Sequence, residues 1–263
     1  MPIKLLSFTV ALLVLFSPEA AVPADNVNPP RQPVLVELFT SEGCSTCPPA
    51  DALLEKLDRD QPIAGAQIVV LSEHVDYWNH DGWTDPYSAA LFTTRQQNYV
   101  RRFGLPDPYT PEMVIDGSAE CVGGDRQKVE TAIRQAIGQP KVGIRILPAP
   151  SGDGSLTLEV DPLPAGKTHK ANVYVASAAD SGTSNVLSGE NRGRRLHHVS
   201  IVSDIRQVGT IGTESVLRTR LSPRLFKTPA GSRLIAFVQE SGDGRVWGAA
   251  VYAIPAQSGH PLP

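Results

Sequence analysis

Three cysteines stand in the 263-residue chain, and two of them, Cys44 and Cys47, are separated only by Ser45 and Thr46. The pair lies between an apolar run ending at Thr40 and a helical pattern opening near Pro48. A thiol at a helix N-terminus meets unpaired backbone N–H groups and the positive end of the helix dipole. Both favour the thiolate, the form that attacks disulfides. Two intervening residues let the second sulfur reach the first across one turn and close a reversible bridge. On this reading Cys44 is the exposed attacker and Cys47 the more buried resolver. The same spacing also fits a structural disulfide, half of a zinc site or an inert pair. A full zinc site needs a second pair or histidines at ligand spacing, and none follows. A static bridge over so small a loop adds little chain-entropy stabilisation.

Thr110-Pro111 precedes a short strand pattern, Met113 to Ile115. Proline at the start of a strand, after a loop, is a frequent place for a cis peptide. Beside a cysteine pair it keeps the local backbone open for an extended peptide. Cys121, the odd cysteine, offers intermolecular pairing, a reactive thiol or a small buried hydrophobe; its place at the end of a strand favours burial.

The elements that must hold these residues alternate in type. Val34 to Thr40 is an apolar run, and Ala50, Leu53, Leu54 and Leu57 fall at helical spacing. Ile68 to Leu71 is a short β-branched strand. Asp85-Pro86 reads as an N-cap and first-turn proline, opening a helix that runs to Phe103. Its arginines, Arg95, Arg101 and Arg102, are expected on a solvated face. Met113 to Ile115, Asp116-Gly117 and Glu120 to Val122 form a hairpin signature, and Val129, Ile133 and Ile137 a last helix ended by Gly138. After Pro140 the helical patterns stop. Short alternating runs at 142–147, 155–160, 172–176, 199–202, 216–221, 234–238 and 246–253 suggest an antiparallel sandwich. The sequence therefore divides into an α/β unit over 34–139 and a β-rich unit over 140–256, with a tail over 257–263.

Taken together, the strand Leu35-Val36-Glu37-Leu38-Phe39, the pair Cys44-Ser45-Thr46-Cys47, Thr110-Pro111 and the hairpin ending Val122-Gly123 resemble the thioredoxin superfamily. The run from Val36 to Asp51 looks more narrowly like a family of secreted bacterial thioredoxin-like proteins that is a domain of unknown function. His74-Val75-Asp76-Tyr77-Trp78, Tyr109 to Met113 and Gly193-Arg194-Arg195-Leu196-His197-His198 carry the same likeness. The resemblance implies an α/β thioredoxin-like domain followed by the β-rich unit. It implies thiol-disulfide exchange with a thiol- or disulfide-bearing protein or a small thiol. Cys44 and Cys47 carry the exchange, and Thr110 and Pro111 border the substrate groove. The buried acid that thioredoxins place before the cysteines is matched most nearly by Glu37, one residue further away than expected. Gly43 replaces the usual aromatic, and Glu42 disfavours a neighbouring thiolate if it lies close.

In such a sheet the strand Ile68 to Leu71 runs parallel to Val34–Thr40. Its loop then emerges beside the cysteines, with His74 at its start. His74 fits a proton shuttle, a hydrogen-bonded core histidine, or a third ligand for Cu(I) beside Cys44 and Cys47, as in the copper-delivery branch of the superfamily. Four of the six Tyr and two of the three Trp fall between Tyr77 and Tyr109, and Tyr77, Trp78 and Trp83 are expected to pack. No cofactor is implied. In the β-rich half, His197 and His198 must point to opposite faces of a strand. Arg192, Arg194 and Arg195 form a small basic cluster, read as a solvated loop or a contact to the first unit or an anionic partner.

A net charge of −3 gives no basic field for nucleic acid. Hydrophobic residues at 41% and charged residues at 19% exclude a disordered chain. Lys4, the apolar stretch Leu5 to Phe16, and Val22-Pro23-Ala24 have the layout of a secretory signal peptide over residues 1–24. That stretch is short of the ~20 apolar residues needed to span a bilayer. Residues 25–33 read as a flexible leader. A periplasmic or secreted protein without membrane insertion is expected, in a compartment where disulfides persist.

Overall fold

The computed structural model describes residues 30–80, 82–151, 153–166, 170–222, 226 and 231–255. Residues 1–24, read above as a signal peptide, most of residues 25–33, read as a leader, and the tail over 257–263 lie outside the described residues.

β1 (Gln32–Thr40), α1 (Pro48–Asp60), β2 (Ala66–His74), α2 (Ala90–Phe103), β3 (Glu112–Ile115), β4 (Ala119–Val122) and α3 (Arg126–Ile137) follow in order. Strands β5 (Ile144–Pro148), β6 (Leu156–Val160), β7 (Ala171–Asn185), β8 (Arg195–Ile211), β9 (Leu217–Leu221), β10 (Ser232–Glu240) and β11 (Val246–Ala253) complete the chain. β1 and β2 are parallel, in register from Gln32↔Ala66 to Thr40↔His74, and β3 lies antiparallel on the other side of β1. The two halves meet in one eight-stranded sheet ordered β11-β10-β7-β8-β2-β1-β3-β4; β5-β6-β9 form a second, three-stranded sheet.

Alternation along β1 distributes the core. Val34, Val36 and Leu38 face α1 and α3 together with Ala50, Leu54, Leu57, Val129 and Ile133. Leu35 and Phe39 face the opposite way, toward Phe92 and Tyr99 of α2 and Ile235 and Phe237 of β10. The small sheet packs Leu156, Leu158 and Val160 against Val173, Val175, Leu234 and Trp247. Each fully buried aliphatic side chain contributes about 1.5–3 kcal/mol, so these three clusters dominate the cohesion of the fold.

β8 joins β2 through one register pair, Ser72↔Ile201. Beside it Ser200 takes a left-handed φ of 48° and donates its buried hydroxyl to the Val70 carbonyl at 2.6 Å. That bond offsets part of the backbone cost at a residue other than glycine. Gly182 on β7 meets a different requirement. A Cβ there would stand 2.6 Å from the Tyr87 hydroxyl and 2.6 Å from Ile201.

The structure corrects the sequence reading of α2. The helix begins at Ala90, with Asp85-Pro86 in a preceding turn. The Asp85 side chain accepts from the Tyr87 and Glu42 N–H groups and from His74, and so is drawn inward instead of capping. Arg95 is a second correction: it is buried, and Glu37 accounts for that.

Candidate functional site

Cys47 is the N-cap of α1, and Pro48 and Pro49 fill the first helical positions, where a missing N–H costs nothing. Cys44 and Cys47 are joined as a disulfide with their Cα atoms 5.4 Å apart. Both are fully buried, whereas Ser45 and Thr46 between them are exposed. Cys44 is therefore not the exposed attacker expected from spacing. The cysteine loop is held from far along the chain. Between β7 and β8, Asn191 donates its side-chain amide to the carbonyls of Glu42 at 2.8 Å and Cys44 at 2.9 Å, and Glu190 accepts from the Ser45 N–H at 2.9 Å.

The Thr110–Pro111 peptide is cis, as the sequence led us to expect. Pro111 and Ala50, in the first turn of α1, share a neighbour: a Cβ on Gly123 would meet Ala50 at 3.0 Å and Pro111 at 3.3 Å. Thr110 accepts the Trp78 indole N–H at 2.7 Å, and a Cβ on Gly43 would meet the Trp78 Cβ at 3.0 Å. Trp78 thus spans from the residue before Cys44 to the residue before Pro111. The packing role expected of this aromatic includes a specific tie.

Glu37 is not brought to the cysteines. It alternates onto the α2 face of β1, where its carboxylate accepts from Arg95 at 2.6 Å and Tyr99 at 2.6 Å. Glu73 lies 3.6 Å from the same guanidinium. Burial first, then the Glu37 charge, pushes the Glu73 carboxyl well above the usual range. One guanidinium thus faces two neighbouring buried carboxylates.

Of the buried polar groups that flank the cysteine loop, the sequence reading named Glu42 beside the pair but not Asp51 or His198. Asp51 lies one turn after Cys47 and accepts from the Thr40 hydroxyl at 2.9 Å; Glu42, two residues before Cys44, accepts from the Trp83 indole at 2.8 Å. Between these carboxylates sits the buried His198 of β8, Nε2 3.4 Å from Glu42 and Nδ1 3.6 Å from Asp51. Burial disfavours its charge, but Asp51 and Glu42 outweigh that and push the imidazole up to about 9. His197 points the other way, half-exposed and 3.4 Å from Glu55. The alternation of an adjacent histidine pair was the available sequence signal: one of the two had to face inward.

His74, at the end of β2, packs its ring 4.6 Å from that of His198 and holds Asp85 through Nδ1 at 2.7 Å. Among the described residues, no three His, Cys, Asp or Glu side chains are placed to hold a metal ion. Cys44 and Cys47 are bonded to each other, and His74 is engaged with Asp85. Cys121 is buried on β4, and burial followed by the Glu120 charge pushes its thiol up to about 11. Among the described residues, no helix is long and apolar enough to cross a membrane.

A crystal structure of a protein from Agrobacterium tumefaciens is similar to this chain at 25% identity and a TM-score of 0.68, covering 88% of this chain and 97% of that one. HBP35 of Porphyromonas gingivalis is similar in fold at 12% identity and a TM-score of 0.57, over 89% and 80% of the two chains. No curated protein matches. The model of the family described as a protein of unknown function (DUF1223) matches residues 35–239, and the chain belongs to that family.

Proposed function

We propose that this chain is an extracytoplasmic thiol-disulfide oxidoreductase built on a thioredoxin-like unit, with Cys44 and Cys47 as its redox pair. The observation that carries the reading is the disulfide seated at the start of α1, whose first-turn Ala50 and the cis Pro111 pack around the same glycine, Gly123. The order β1-α1-β2-α2-β3-β4-α3 and the sheet neighbours β2-β1-β3-β4 support the thioredoxin-like assignment. The signal-peptide pattern of residues 1–24 supports an oxidising compartment.

In the reduced state the Cys44 thiolate attacks a substrate disulfide. A mixed disulfide forms and the first substrate sulfur leaves as thiolate. Cys47 then attacks Cys44 Sγ, closes the Cys44–Cys47 bond and expels the second substrate sulfur, so two electrons pass from the pair to the substrate. The positive end of the α1 dipole favours both thiolates, although Pro48 and Pro49 carry no N–H and those of Ala50 and Asp51 bond the Cys47 carbonyl. The partner is a thiol- or disulfide-bearing protein, or a small thiol.

Substitution Cys44→Ser should abolish insulin reduction and thiol oxidation while the circular dichroism spectrum stays native. Equal activity in the variant removes the proposal. The burial of both sulfurs favours one competing reading, a static disulfide in a binding protein. A very negative reduction potential, with Cys44 unreactive to alkylation even after reduction, would select that reading instead.

A further inference from the structure

We propose that the Val186–Arg194 turn between β7 and β8 is a latch over the Cys44–Cys47 disulfide, with Asn191 as the residue that holds it shut. The inference rests on the redox reading of that pair and adds how access to it is controlled. Exchange requires a thiolate to reach a sulfur, and both sulfurs are fully buried here. No thiol reaches them while the cover stays down.

The cover is built to move as a unit. It closes on itself through Val186 N–H to Arg194 O at 2.9 Å and Gly193 N–H to Val186 O at 2.8 Å. Its grip on the cysteine loop is polar and sparse. Asn191 donates to the Glu42 and Cys44 carbonyls, Glu190 accepts from Ser45 N–H, and the Ser188 hydroxyl donates to the Gly82 carbonyl. Arg194 steadies Asn191 by donating to its Oδ1 at 2.8 Å. Within the turn only Val186 and Asn191 are buried, and Leu187 at the tip is 72% exposed. Lifting the turn breaks a few hydrogen bonds and leaves the apolar clusters intact. Asn191 is the strongest single hold, because it alone satisfies two carbonyls of the cysteine segment.

The test follows the reduction of the oxidised protein by dithiothreitol, with acid quench, alkylation and mass analysis. One dithiothreitol thiolate bonds to a cysteine sulfur as the Cys44–Cys47 bond breaks. Its second thiol then closes the oxidised ring and leaves two cysteine thiols. In the wild type the rate should rise with dithiothreitol and then level off, because opening sets the pace. N191D keeps the shape of the side chain but loses the donating amino group, and should be reduced about tenfold faster or more. E190A alters an exposed position and should accelerate reduction in the same direction; it serves also if N191D fails to fold.

A wild-type rate that stays linear in dithiothreitol, and is matched by both variants, overturns the latch. Fast reduction of the variants with no turnover of insulin disulfides by any form supports the latch and removes the oxidoreductase reading. Turnover without acceleration in the variants does the reverse.

Discussion

Trp78 donates its indole N–H to the Thr110 hydroxyl at 2.7 Å, tying the loop after β2 to the residue that precedes Pro111. Its Cβ lies against the position a side chain at Gly43 would occupy, so one aromatic fixes the spacing between the cysteine loop and the proline loop. Substituting Trp78→Phe keeps most of the packing and removes the donor. The expected cost is about 1 kcal/mol in urea unfolding. The rate with protein disulfides should fall while that with dithiothreitol changes little. An equal effect on both reagents would show that Trp78 does not shape the groove.

Arg95 is the cation shared by the buried Glu37 and Glu73 and the partly exposed Asp243. Replacing it with leucine strands those carboxylates, and R95L should lose about 3–5 kcal/mol of stability. Adding E37Q to R95L should recover part of that loss, because the strongest of its partners then carries no charge. Thermal or urea melts of the single and double variants measure the difference, and a loss below about 1 kcal/mol would mean that the pair is solvated.

His198 binds its proton more tightly in the folded chain than in the unfolded one. This contribution is complete below the unfolded value of about 6.5 and is lost as pH rises toward about 9. Folding stability should therefore fall across that window by on the order of 3 kcal/mol. H198Q should start less stable at pH 6, with Glu42 and Asp51 left without their cation, and should show a flatter profile. Parallel profiles for the two proteins would assign the titration to another group.

The sequence made the local elements legible where hydrophobic period and turn chemistry agreed. The hairpin around Asp116-Gly117 was one such case: both residues adopt a left-handed φ, which the pair of types tolerates. The last helix was another, with Asp125 accepting from the Lys128 N–H at 3.1 Å as its cap. Strands β7 and β8 were visible only in part. The stretch Ser177 to Asn185 is small and polar, with a weak intrinsic strand preference, and pairing with β8 overrides that preference. The cysteine pair and Thr110-Pro111 could be read because their chemistry is tied to short spacing. Asn191 and His198 could not be assigned to the site, since only the hairpin carries them back to α1 and no local pattern encodes that return.

The same hairpin has a practical corollary. β8 is the neighbour that occupies the outer side of β2. A fragment ending at Gln139 would lose the Ser72↔Ile201 pairing and the Ser200 bond to the Val70 carbonyl, leaving that end of β2 open to a second molecule. Such an edge templates strand addition between copies. The α/β half made alone should therefore precipitate or pair with itself, and soluble yields of the intact chain should exceed those of any piece cut at that point.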